Sequence, residues 1–163
     1  MPEELEGPYL PAVGPVAMLS DEERGVLSSY GDFHLAAERE VLITQGNSQG
    51  RLFYVLSGLL HAVRRDGDRE VLLGAIHSGE WVGEVDLFDP VSAMCSVTVV
   101  EQVQYWAISR QNLEEFINNY PHAGMQLVIS LASVLSKRLR SVTRRLMEEA
   151  ELAVVRASLL VEP

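Results

Sequence analysis

Between Phe33 and Ser109 the chain breaks into short β-rich runs, and after Ser109 its apolar period becomes helical. No other feature narrows the fold as far. The runs are Phe33–Leu35, Glu40–Thr44, Leu52–Leu56, Leu59–Arg65, Glu70–Ile76, Trp81–Val85, Ser96–Val100 and Gln102–Ile108. Turn residues separate them: Gln45-Gly46-Asn47, Ser57-Gly58, Asp66-Gly67-Asp68, His77-Ser78-Gly79 and Asp89-Pro90. Asp66-Gly67 between two apolar runs predicts a hairpin. Eight short strands at this spacing predict a jelly roll or a related small barrel.

The flanks are helical. Ser20-Asp21-Glu22-Glu23 is an S-x-x-E capping box and predicts a short helix ending near Tyr30-Gly31. Ser109 is a candidate N-cap for a helix over about Gln111 to Asn119, and Pro121 suits the first turn of a much longer one. In that helix Val128, Ala132, Leu135, Leu139, Val142 and Leu146 alternate in steps of three and four, the spacing of a coiled-coil seam. Ala153 continues the seam, but Glu149 and Arg156 also fall on it, so its apolar character decays. The expected class is α+β, mainly β: an eight-stranded β-roll with a short N-terminal helix and a long C-terminal dimerisation helix. Three segments follow: an extended, proline-rich leader over 1–19, the roll with its flanking short helices over 20–120, and the long helix over 121–163.

Composition excludes several classes. With 47% apolar residues in 163, one well-buried domain is affordable. A formal net charge of -10 argues against binding nucleic acid over the whole surface. No apolar run is long enough to span a bilayer, and the N-terminus has acidic residues and prolines where a secretory signal would be basic and then apolar. The expected location is cytoplasmic, without a membrane partner. One cysteine, Cys95, leaves no intramolecular disulfide framework.

The stretch Gly79–Phe88, G-E-W-V-G-E-V-D-L-F, carries the functional signal. Its glycines permit positive φ and close approach of another group, and Glu84 beside such a turn is placed to accept hydrogen bonds from ligand hydroxyls. Together with Glu40–Gly46 (E-V-L-I-T-Q-G) and Leu52–Gly58 (L-F-Y-V-L-S-G), it resembles the cyclic nucleotide-binding domain of bacterial catabolite-activator regulators and cyclic-nucleotide-dependent kinases. The resemblance runs from about Leu19 to Leu146.

The resemblance implies a non-enzymatic sensor whose ligand is a cyclic nucleotide such as cyclic AMP or cyclic GMP. It places the phosphate-binding cassette at Gly83, Glu84, Val85 and Asp86, with Glu84 on the ribose 2′-hydroxyl. The family's phosphate-neutralising arginine and the hydroxyl residue after it fall at Ala93 and Met94, or at Met94 and Cys95 with the loop shifted by one. Neither register supplies a cation, and no basic residue occurs between Arg69 and Arg110. A noncanonical ligand, such as a cyclic dinucleotide, or none at all, is therefore expected. Arg51, Arg64, Arg65 and Arg69 could substitute, or could be solvated turn charges. Thr143 is placed as a purine contact on the long helix.

Other features have plainer readings. Met94-Cys95 reads as apolar packing in the roll, and Trp81 and Phe88 as core. His34, His61, His77 and His122 are scattered and lack the H-x-H pair of a cupin metal enzyme. Lys137, Arg138, Arg140, Arg144 and Arg145 read as charges flanking a dimer seam, or as a contact for an acidic partner. The stretch after Leu146 is short for a helix-turn-helix domain, so the expectation is signalling to a partner protein rather than direct DNA binding. The competing reading is a protein-interaction scaffold that no longer binds nucleotide.

Overall fold

A computed structural model describes residues 9–159. The first eight residues of the expected leader and the last four of the expected helix lie outside the described residues. A 3-10 turn, Gly14–Met18, leads into α1 (Asp21–Ser28). The capping box forms as the sequence predicts: the Ser20 N–H donates to Glu23 Oε2 at 2.8 Å, and the Glu23 N–H donates to Ser20 Oγ at 3.1 Å.

Strands β1 (Asp32–Ala36), β2 (Val41–Ile43), β3 (Arg51–Asp66), β4 (Arg69–His77), β5 (Trp81–Val82) and β6 (Ser96–Ser109) form one antiparallel sheet. Its path is β1-β6-β3-β4, with β2 also on β6 and β5 also on β3. Six strands stand where the spacing suggested eight, because two pairs of runs fuse into β3 and β6. The ladder between these long strands shifts register at Val55/Ser57, Ser57/Leu59 and Leu59/Leu60, so the chain bends at Ser57-Gly58 without breaking. Gly58 sits at the bend with φ 93°, and a Cβ there would come within 2.2 Å of the Gln102 carbonyl oxygen. The Asp66-Gly67 hairpin forms, with Asp66 paired to Arg69.

Of the remaining helices, α2 (Glu84–Phe88) lies between β5 and β6, and α3 (Arg110–Asn119) and α4 (Pro121–Leu159) come after β6. Both faces of the first part of β3 are covered, which explains the unbroken burial of Leu52, Phe53, Tyr54 and Val55. Phe53, Val55, Leu60, Val97, Val99 and Val103 fill the roll. On the other face, Tyr54, Trp81 and Trp106 pack with Leu10, Val16, Leu27, Phe116, Leu127 and Leu131 from the leader and helices.

Helix α4 carries two stripes. Leu127 and Leu131 are buried against the domain, and Val134, Arg138 and Ser141 continue that line half-buried. The stripe read from the sequence lies one residue further round, and its outer half faces away: Leu139 is 68% exposed and Leu146 61%. No described helix is long and apolar enough to cross a membrane.

Candidate functional site

The run read as a strand over Trp81–Val85 stops at Val82, because Gly83 turns the chain with φ 92°. A Cβ on Gly83 would lie 2.4 Å from the Arg51 carbonyl oxygen, so no side chain fits there. The turn starts α2 at Glu84. Glu84 points inward and is 3% exposed.

A buried carboxylate needs a partner, since desolvation otherwise neutralises it. That partner is Arg138 on α4, whose guanidinium donates to Glu84 Oε1 and to the Trp81 carbonyl oxygen. The sequence reading grouped Arg138 with the seam-flanking charges. In the structure Lys137, Arg140, Arg144 and Arg145 stay exposed, while Arg138 turns inward. The signal was its place seven residues after Leu131, on the docking stripe.

Asp86 is committed to the protein. Its carboxylate accepts from Ser48 Oγ at 2.7 Å and from the backbone N–H groups of Gln49 and Gly50 at 2.5 and 2.6 Å. Burial pushes this carboxyl up, but those hydrogen bonds, with Arg110 nearby, outweigh it and hold it below the usual carboxylate range. Arg110 in turn donates to the carbonyl oxygens of Asp86 and Leu87. Val85 is exposed. The cassette is therefore tied to the 48–50 loop, to α3 and to α4.

The loop carrying Ala93 and Met94 is pinned by backbone bonds. Gly46 N–H donates to the Ala93 oxygen, and Ala93 N–H to the Asn47 oxygen, both at 2.8 Å. Ala93 packs half-buried on the roll's interior cluster. Met94 does not pack as expected: it is 67% exposed, because the loop crosses the rim before β6 begins. Phe88 is likewise exposed, whereas Trp81 is core. Cys95 is half-buried, and burial first, then the Glu84 charge, pushes its thiol up against the opposing pull of Arg64 and Arg138. Thr143 lies on the exposed part of α4, its hydroxyl donating to the Leu139 carbonyl at 2.9 Å.

The glycine turn, the buried carboxylate and the pinned loop all fall inside the stretch that one family model matches. The model of the cyclic nucleotide-binding domain matches residues 34–120, more than half of the chain. The chain belongs to this family. The domain is similar to a CRP-like cAMP-activated global transcriptional regulator of Mycobacterium tuberculosis, 30% identical over 106 residues. That match takes in 64% of this chain and 46% of the relative, so it spans about half the length of the curated relative. Among solved structures, the catabolite activator protein of Thermus thermophilus superposes with a TM-score of 0.74 at 27% identity, over 84% of this chain and 63% of that one. The c-di-GMP responsive global regulator CLP of Xanthomonas campestris shares the fold, with a TM-score of 0.73 at 24% identity over 88% and 74% of the two chains.

In this domain Gly83 and Glu84 form the turn into α2, and Ala93 and Met94 carry no charge. Charge at the site comes from outside the cassette, through Arg138 and through Arg64, whose guanidinium donates to the Met94 carbonyl at 3.1 Å. Among the described residues, no group of three or more His, Cys, Asp or Glu side chains is placed to hold a metal ion.

Proposed function

We propose that this chain is a non-enzymatic, cytoplasmic regulatory module in which occupancy of a noncanonical cyclic nucleotide pocket sets the position of helix α4. The observation that carries this is the Glu84–Arg138 pair. The carboxylate that the family resemblance assigns to a ribose hydroxyl is held by a cation on the output helix. A ligand hydroxyl arriving at Glu84 competes with or re-aims that cation, so the helix has two arrangements that binding distinguishes. The proposed site comprises Gly83, Glu84, Val85, Asp86, Ala93 and Met94, with Thr143 reaching in from the helix.

The proposed ligand is a cyclic nucleotide, cyclic AMP or cyclic GMP, or a cyclic dinucleotide. Two relatives carry names that fit this range, one cAMP-activated and one responsive to c-di-GMP. The outward stripe of Leu139, Val142 and Leu146 supports a homodimer along α4, which delivers the signal to a partner protein. The second reading is a scaffold without nucleotide. It is favoured by one observation: Glu84 already has its charge partner inside the protein.

Titration calorimetry with cyclic AMP, cyclic GMP and cyclic di-GMP decides between them. Saturable binding lost in Glu84→Ala supports the sensor, while no binding of any of the three at millimolar concentration leaves the scaffold. Light scattering of Leu139→Glu/Leu146→Glu tests the dimer, with a monomer expected where the parent chain is a dimer.

A further inference from the structure

The cassette has no cation of its own, yet the roll brings one to it from strand β3. Leu60 and Ala62 face the interior of the roll, and strand alternation carries Arg64 to the same face. Across the sheet Ala62 pairs with Val97 and Val63 with Ser96, so the next step of this register sets Arg64 opposite Cys95. The Arg64 guanidinium does reach this point, donating to the Met94 carbonyl. Met94 lies in both registers that the family's arginine and hydroxyl residue could occupy.

The strand is held in place there. The side-chain amide of Gln45 accepts from the Arg65 N–H and donates to the Arg65 carbonyl, each at 2.9 Å. Arg64 also keeps its charge available. Arg24, Arg65 and Arg138 each have a carboxylate partner, whereas among the described residues Arg64 has none within ion-pair distance. One carbonyl uses a small part of its five-donor fork. Arg138 approaches Glu84 from the helix side, and the Cys95 thiol is near enough to feel the charges of Arg64, Arg138 and Glu84.

We propose that Arg64 is the phosphate-binding cation of this site, and that the ligand is a cyclic phosphodiester held between Arg64 and the Glu84–Arg138 pair. This rests on the sensor reading above. The guanidinium fork matches two phosphate oxygens wherever it is anchored, so a strand can supply what the cassette loop lacks. Because Arg64 is exposed, its contribution weakens with salt.

The test is calorimetry on the full chain at low salt, with cyclic AMP and cyclic di-GMP as probes. The expected result is binding of at least one probe, weakened about 10–100-fold by Arg64→Met. Arg64→Met/Ala93→Arg, which returns a guanidinium to the cassette loop, should recover much of that loss. Which probe binds separates a mononucleotide source of the phosphodiester from a dinucleotide one. If Arg64→Met binds as the parent does while Glu84→Ala abolishes binding, Arg64 is not the phosphate cation and the sensor reading stands. If neither probe binds the parent chain or Ala93→Arg at millimolar concentration, both fall. Thermal melts of each variant verify that it is folded.

Discussion

Replacing Arg138 by methionine keeps the stem that lies along the docking stripe and removes the guanidinium that meets Glu84 and the Trp81 carbonyl. Breaking a fully buried ion pair from one side costs about 3–5 kcal/mol, whereas an exposed pair is worth about 0.2–1 kcal/mol. Here Glu84 is buried and the Arg138 side chain is 38% exposed. That mixed burial puts Arg138→Met at about 2–3 kcal/mol. For a chain of this length each kcal/mol lowers the melting midpoint by about 2–4 °C, so a fall of about 4–12 °C is expected. Glu84→Gln leaves Arg138 with access to water and should cost about 1 kcal/mol. The double variant should lose less than the sum, with a coupling of about 1–2 kcal/mol. Urea and thermal unfolding at one protein concentration measure the cycle, since self-association along α4 would otherwise shift the midpoints. A midpoint for Arg138→Met within about 1 °C of the parent, or additivity within about 0.5 kcal/mol, would refute the pair as the link between cassette and helix.

Two further outcomes follow from named contacts. The Asp86 carboxyl titrates below its ordinary value in the folded chain, so its stabilisation is complete above about pH 4 and is lost as pH falls through the folded value. Asp86→Asn should flatten that acid limb of the stability profile and loosen the 48–50 loop, seen as faster amide exchange at Gln49 and Gly50; an unchanged limb sinks the assignment. The Cys95 thiol, pushed up by burial and by Glu84, should react with iodoacetamide at pH 7.5 at least about tenfold more slowly than the same thiol in urea. Equal rates in the native and unfolded chain would show that the thiol is neither shielded nor raised.

The features legible in the sequence are those whose partners lie within a few residues of each other. The Ser20/Glu23 box, the Asp66-Gly67 hairpin and the Ser109 cap with Pro121 after it all depend on local backbone geometry, whereas the run read as a strand over Trp81–Val85 gave way to α2 at Glu84. A turn-like pair such as Ser57-Gly58 marks a bend as readily as an end, and only the neighbouring strand decides whether pairing continues through it.

The sequence by itself determined a β-rich domain followed by a long amphipathic helix, and a stretch from Arg69 to Arg110 without a basic residue between them. Tertiary structure decided which groups meet there. Glu84 and Arg138 are 54 residues apart and Arg64 and Met94 are 30 apart, so no local pattern joins the two members of either pair. It also decided which of two adjacent stripes on α4 faces home. The stripes differ by one residue, about 100° of helix, and both read as apolar until Leu127 and Leu131 find the core and Leu139 and Leu146 do not. Side-chain direction on a helix is fixed by what the helix packs against, and that is a property of the folded chain.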